Sequence, residues 1–174
     1  MKFLIAILFL PFLASAQVGS SYKDFQKSEF SQFFHTKEMK SAAYEKGLMR
    51  EIKIGAFQEY ITLYVYTDTL LNIHEAILLA DSEWVHDEKY IPLARDLVKS
   101  FLVSFICFDD QKKIEPLAEL IYNRKTTQDK FAVNANKVFT GKLDKYSEKL
   151  GKCTVSFENL HSGDYGNLRI KITD

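Results

Sequence analysis

The stretch AFQEYITLYVYTDTLLNIHEAILLADSEW, residues 56–84, decides the predicted fold. Apolar residues recur in it at alternating intervals of three and four, which places them on one stripe of an α-helix. The stripe consists of Leu63, Tyr66, Leu70, Ile73, Ile77, Ala80 and Trp84. A second apolar row beside it makes the surface wider than a solvent-facing helix needs, and this row consists of Tyr60, Tyr64, Leu71 and Leu78. We therefore expect a central helix with neighbours on two sides.

Helices are also expected before this stretch. Ser20 or Ser21 provides the N-cap of a first helix with an aromatic face, which ends near His35. Thr36 provides the N-cap of a second helix that runs to Ile54. The alternation in residues 52–54 also fits a short strand.

The chain after residue 84 continues the helical prediction. Pro92 follows two acidic residues and marks a helix start. The apolar segment FLVSFICF, residues 101–108, continues that helix, although a buried strand also fits it. Pro116 begins another helix, and the last one runs from Ala132 to Leu150, with Gly151 as its C-cap.

The tail changes to the period of a β-strand. Cys153, Val155 and Phe157 alternate with polar residues, and the segment LRIKI at 168–172 does the same after a turn-forming HSGDYGN. The predicted fold is therefore mainly α. It is a bundle of about five to six helices with a small C-terminal β-hairpin, at about residues 153–173, packed on it.

The first 16 residues have the pattern of a secretory signal peptide: Lys2, an apolar run, and small residues at Ala14 and Ala16. We expect a signal peptide at 1–16, a single helical domain at 17–174, and a protein that is exported to the periplasm or secreted. No later apolar run is long enough to span a membrane. Without Lys2 the chain has 22 basic and 23 acidic residues, a net charge of −1, which argues against nucleic acid as a partner.

Two cysteines, Cys107 and Cys153, remain after the predicted cleavage. In an oxidising compartment such a pair predicts a disulfide. The alternative is two buried free thiols that behave as small hydrophobic residues.

A doubled Glu-x-x-His is the sharpest candidate for chemistry: Glu83 with His86, and Glu158 with His161. On helices this spacing presents a carboxylate and an imidazole on one face, as in di-metal bundles. The second motif falls in the predicted hairpin, where the spacing does not have that effect. We therefore expect no metal or other cofactor.

Three weaker signals have ordinary structural explanations. His74 and Asp81 could belong to a hydrolase, but the sequence lacks a nucleophile elbow. Aromatic residues in the first helix and in the central helix could line a pocket for an apolar ligand or form core. A basic stripe on the last helix fits anionic lipid, a cell-wall polymer, an acidic partner or plain solvent exposure, and it consists of Lys142, Lys145, Lys149 and Lys152.

These observations favour an exported, non-catalytic binding module that engages another protein, for example in an immunity-like or inhibitor-like role. The first alternative is a metal-dependent enzyme that uses the doubled Glu-x-x-His. The second is a carrier of apolar ligands.

Overall fold

The computed structural model describes residues 16–57, 59–81, 84, 89–106, 129–162 and 165–174. The predicted helical bundle is wrong, because the core of the protein is a seven-stranded antiparallel sheet. The strands lie in the order β1-β2-β3-β4-β7-β6-β5, so two antiparallel meanders join where β4 pairs with β7. The strands are β1 (Thr36–Tyr44), β2 (Gly47–Ile54), β3 (Ile61–Thr67), β4 (Ile73–Asp81), β5 (Lys145–Leu150), β6 (Cys153–Ser162) and β7 (Tyr165–Thr173).

Four α-helices occur in the described part of the chain, together with a 3-10 turn at Gly55–Phe57. The helices are α1 (Tyr22–Lys27), α2 (Glu29–Phe33), α3 (Ile91–Phe105) and α4 (Lys130–Phe139). The predicted first helix therefore exists but is broken at Ser28, which caps α2 by accepting a hydrogen bond from the Ser31 amide. The predicted helix start at Pro92 is confirmed, since α3 begins at Ile91.

The stretch that suggested a central helix is the β3–β4 hairpin. Asp68 closes the turn, because its Oδ1 accepts hydrogen bonds from the amides of Leu70 and Asn72, each at 2.8 Å. These backbone donors stabilise the carboxylate, and the Asn72 amide is the main cause of the lowered pKa of Asp68. Leu70, which the helical stripe would bury, lies in this turn and is 79% exposed.

The helical period arises because both faces of β3 and β4 carry apolar side chains. Leu63 and Leu78 point to the helices and are fully buried, whereas Tyr64 and Ile77 lie on the opposite face and are half-buried. A strand with one polar face shows a period of two, but a strand that is apolar on both faces loses that signal. Spacings of three and four then occur without a helix.

All four helices pack on the same face of the sheet, here called the covered face. Its central row is Glu38, Ile52, Leu63, Leu78, Ile170, Phe157 and Tyr146. The ring centres of Phe131 and Phe139 in α4 lie 5.8 and 5.7 Å from the ring centre of Phe157. At the other end of the sheet, the ring centre of Phe25 in α1 lies 5.5 Å from the ring centre of Phe105 in α3. One hydrophobic cluster therefore joins the helices to the sheet.

The buried residues Tyr22 and Arg50, together with the exposed Glu38, fix α1 on the covered face. Tyr22 donates a 2.8 Å hydrogen bond to Glu38, and the Arg50 guanidinium lies 4.1 Å from the centre of the Tyr22 ring. Arg50 also donates a 2.8 Å hydrogen bond to Thr67 and lies 3.6 Å from the Glu38 carboxylate. Burial, followed by the hydrogen bond to Glu38, raises the pKa of Tyr22. The buried arginine is therefore compensated by a carboxylate and a hydroxyl.

Two further helix predictions are wrong. Residues 36–54 form the β1–β2 hairpin rather than a helix, and Thr36 opens a strand. The last predicted helix ends at Phe139, because Gly141 adopts a left-handed φ of 69°. The amides of Gly141 and Lys142 then bond back to the carbonyls of Val138 and Lys137, which is a Schellman motif. The predicted C-cap Gly151 lies instead in the β5–β6 turn.

The predicted C-terminal hairpin is confirmed as β6 and β7, with the alternating residues buried as expected. It is not a separate hairpin on a helical bundle, because β7 pairs with β4 and β6 pairs with β5. Residues 1–15 lie outside the described part of the chain. The signal peptide and its cleavage after Ala16 therefore stay predictions.

Candidate functional site

The face of the sheet opposite the helices, here called the open face, carries three rows of side chains across all seven strands. Directly paired residues of antiparallel strands share a face, so each row can be followed from β1 to β5. The first row is Lys37, Lys53, Thr62, Leu79, Arg169, Glu158 and Lys145. The second row is Lys40, Glu51, Tyr64, Ile77, Lys171, Ser156 and Ser147. The third row is Ala42, Met49, Tyr66, Glu75, Thr173, Thr154 and Lys149.

The centre of the open face is apolar and aromatic. Its four central residues lie on β3 and β4 and are half-buried, although the described helices all pack on the other side of the sheet. They are Tyr64, Tyr66, Ile77 and Leu79. Seven strands at about 4.8 Å spacing make the face about 29 Å wide. Its size is suited to a macromolecular surface rather than to an enclosed small ligand.

Charged side chains surround this centre on both sides. On the β2 side, Glu51 forms ion pairs with Lys40 at 3.3 Å and with Lys53 at 3.9 Å. On the β7 side, Glu158 forms ion pairs with both Arg169 and Lys145.

Lys171 pairs with Glu75 at 2.5 Å, beside the apolar centre. The three rows together contain seven basic and three acidic residues, a net charge of +4. The whole chain has a formal net charge of zero. Asp81, at the end of β4 on the same face, lowers the total to +3, so positive charge is still concentrated on the open face.

A tyrosine–histidine cluster lies where the β1–β2 hairpin meets β4. The Tyr44 hydroxyl and Nε2 of His74 form a short hydrogen bond, and the rings of Tyr44 and Tyr66 meet edge to face at 5.3 Å. Burial, and then the negative charge of Glu75, raise the pKa of Tyr66. The direction of this shift suits Tyr66 to hydrogen bonding rather than to acting as a base or nucleophile at neutral pH.

The described half of the doubled Glu-x-x-His does not have the geometry of a di-metal site. Glu158 and His161 lie on β6, an extended strand in which positions i and i+3 do not share a face. The Glu158 carboxylate is already paired with Arg169 and Lys145. Glu83 and His86 lie outside the described residues. Within the described ranges, no group of three or more His, Cys, Asp or Glu side chains is placed to hold a metal ion.

His74 and Asp81 are at opposite ends of β4. Seven residues of extended chain separate them by roughly 23 Å, so they do not form a catalytic pair. His74 instead bonds Tyr44. The hydrolase hypothesis therefore has no geometric support among the described residues.

The predicted basic stripe is not on a helix. Lys142 precedes β5, Lys152 lies in the turn after it, and Lys145 and Lys149 are on β5 itself. Because they are four residues apart on a strand, Lys145 and Lys149 share the open face. The stripe thus contributes two lysines to one edge of the charged rim.

Three other cations of the charged rim were not predicted from the sequence to be site residues, namely Lys53, Arg169 and Lys171. The available signal was the alternation of charged and apolar residues in IKI and LRIKI. This pattern places the charges together on the face opposite the core once strand pairing is known.

The cysteines are only partly described. The side chain of Cys153 is fully buried on the covered face of β6. Cys107 lies outside the described residues, so the structure does not test the pairing of Cys107 with Cys153.

A concave feature lies on the helical side, between α2 and α3. This groove has a volume of about 660 Å³ and is lined by Phe30 and Phe33 of α2, by its C-cap Phe34, and by Lys99 and Val103 of α3, among others. Phe33 is 74% exposed at its rim. The aromatic face of the predicted first helix therefore contributes both to core and to a surface groove.

Comparison with known proteins identifies no relative, since no family model, curated protein or solved structure matches this chain. None of the described helices is long and apolar enough to cross a membrane.

Proposed function

We propose that this chain is an exported, non-catalytic module that binds another protein through the open face of its sheet. The observation that carries the proposal is the composition of that face, an aromatic and aliphatic centre within a charged rim. The export part of the proposal rests on the signal-peptide pattern in residues 1–16.

The centre of the open face has the anatomy of a protein interface. Interfaces combine a desolvated centre rich in tyrosine with a polar rim. Tyr64 and Tyr66 offer large, rigid apolar surfaces with a hydroxyl at the tip, and Ile77 lies opposite Tyr64 on β4. A partner protein that covers these side chains would remove from water apolar surface that no described helix covers.

The face is also preorganised for binding. Each rim cation extends from a strand that is hydrogen-bonded to a neighbour on at least one side, and ion pairs with glutamates hold five of the cations in place. Binding to such a surface costs little backbone ordering. Catalysis would need groups with tuned pKa values around a reacting atom, and burial raises the pKa of Tyr66 on this face, away from reactivity at neutral pH.

The proposal is tested by affinity capture from the native extract with Ile77→Glu as the informative variant. A charge introduced at the centre of the open face would be buried by a docked partner, and its desolvation would oppose binding there. Phe33→Glu is the matched control, because it introduces the same charge at an exposed apolar residue on the helical side. We expect Phe33→Glu to retain, and Ile77→Glu to lose, a partner captured by the natural sequence. Loss with Phe33→Glu alone would place the site in the groove and contradict the proposal.

The groove supports a second candidate function, a carrier of apolar ligands. Its volume of about 660 Å³ lies within the range of roughly 300–1,000 Å³ typical of small-molecule sites. Native mass spectrometry of protein purified from its own source would reveal a co-purifying lipid-like molecule. A ligand that is lost with Phe33→Glu and kept with Ile77→Glu would favour the carrier over the protein-binding module.

A further inference from the structure

The charge of the open face points to the chemistry of its partner: we infer that the partner presents an acidic protein surface to the rim. This inference rests on the proposed function and deepens it. The three rows carry a net charge of +4 while the whole chain is neutral, so the rest of the chain carries −4. Complementary potentials across an interface determine which partners are accepted and speed their association.

Protection of sheet edges does not account for this charge. Lysines on edge strands commonly prevent association between sheets, and Lys37, Lys40, Lys145 and Lys149 lie on the edge strands β1 and β5. Lys53, Arg169 and Lys171 do not, because β2 and β7 are paired on both sides. These three inner cations border the apolar centre, where edge protection requires no charge.

The glutamates on the open face do not neutralise all of its cations, so positive charge remains for a partner to bind. Glu51 is shared by Lys40 and Lys53, and Glu158 is shared by Arg169 and Lys145.

Lys171 approaches Glu75, and its side chain remains 36% exposed. A carboxylate of the partner that approaches these clusters would meet more positive than negative charge on both sides of the centre.

The same features favour a protein over a nucleic acid or a membrane. Nucleic-acid sites consist mainly of cations that neutralise successive phosphates, whereas three glutamates lie within this rim. Membrane-surface binding relies on long apolar residues that enter the lipid together with unopposed basic residues. Here the centre combines two tyrosines with Ile77 and Leu79 on hydrogen-bonded strands, and glutamates oppose the basic residues of the rim. An acidic protein surface with an apolar centre matches both parts of the open face.

Two variants of equal charge test the inference. The rim variant combines Lys53→Gln, Arg169→Gln and Lys171→Gln. The control combines three substitutions on exposed lysines of α1 and α4, namely Lys23→Gln, Lys130→Gln and Lys137→Gln. The first probe is fluorescent poly-L-glutamate, with binding followed by anisotropy at low and at physiological ionic strength. The second probe is vesicles of phosphatidylglycerol.

We expect poly-L-glutamate to bind the natural sequence and the control, and to bind the rim variant about tenfold more weakly at low salt. Equal weakening by both variants would show an effect of total charge alone and would overturn the inference. Binding of the vesicles through the rim without binding of poly-L-glutamate would overturn it in favour of a membrane.

The captured partner separates this inference from the proposed function. Loss of that partner with Ile77→Glu and with the rim variant, at unchanged fold by circular dichroism, supports both. Loss with Ile77→Glu but retention with the rim variant overturns the acidic partner and leaves the binding module intact. Retention of the partner by both variants would overturn the proposed function itself.

Discussion

Truncating two leucines that the helical pattern treats as equivalent distinguishes the sheet from a central helix. Leu63 lies on β3, faces the helices and is fully buried between Ile52 and Leu78 of the neighbouring strands. Leu70 lies in the β3–β4 turn and is 79% exposed. The substitution to Ala is chemically the same at both positions, so the difference in effect measures burial.

The expected magnitudes differ clearly. Leu63→Ala removes buried methyl groups and leaves a cavity, which costs about 2–5 kcal/mol of the free energy of unfolding. Leu70→Ala removes groups that are already in water and should change that free energy by less than about 0.5 kcal/mol. For a domain of this size, about 2–4 °C per kcal/mol corresponds to a fall in melting temperature of about 4–20 °C for Leu63→Ala.

Thermal unfolding followed by circular dichroism, with urea unfolding as a second measure, provides the test. The urea slope should be the same in both variants, which would show that the unfolded state is unaffected. Equal losses of stability for Leu63→Ala and Leu70→Ala would restore the helical stripe and refute the assignment of the β3–β4 turn.

Three further predictions concern the rest of the fold. Thr67→Val should cost about 1–3 kcal/mol of the free energy of unfolding, because it leaves a buried N–H of Arg50 without its acceptor; a urea midpoint equal to that of the natural protein would contradict it. Gly141→Ala should cost about 1–2 kcal/mol through its left-handed φ alone, since a Cβ there meets no atom, and a neutral result in thermal unfolding would show that the turn relaxes. Burial, followed by the hydrogen bond to Glu148, raises the pKa of Tyr146 from 10.0 to about 12. The stability that comes from keeping this hydroxyl protonated is therefore complete below pH 10 and is lost as the pH rises to about 12. Tyr146→Phe should lessen the alkaline decline in urea midpoint, and an unchanged decline would argue against the raised pKa.

The parts of the fold that sequence predicted correctly are those in which one pattern had one structural solution. The tail alternates strictly between apolar and polar residues, and it forms β6 and β7. Pro92 and the apolar run after it form α3. In both cases the burial pattern follows directly from the local period.

The errors have a physical cause in the open face. Because Tyr64 and Ile77 make the outer side of β3 and β4 apolar, the alternation that identifies strands is absent there. The turn itself was encoded by Asp68, whose carboxylate accepts hydrogen bonds from the backbone amide and from the side-chain amide of Asn72. Gly141 similarly encoded the end of α4.

The candidate site was hidden for a related reason. Its residues come from seven strands that are distant in sequence, and only strand register places Lys53 beside Thr62 and Arg169 beside Glu158. The sequence identified part of the rim through Lys145 and Lys149, but on a helix. Contacts between strands that lie far apart in the chain cannot be inferred from the local pattern that identifies each strand.

The most direct test of the central claim is lysine footprinting with and without the captured partner. Brief acetylation, followed by mass spectrometry of peptides, reports the accessibility of each lysine. We predict that the partner protects Lys53 and Lys171 on the open face, while Lys130 and Lys137 on α4 react as in the free protein. Protection of the α4 lysines with unchanged reactivity of Lys53 and Lys171 would contradict binding through the open face.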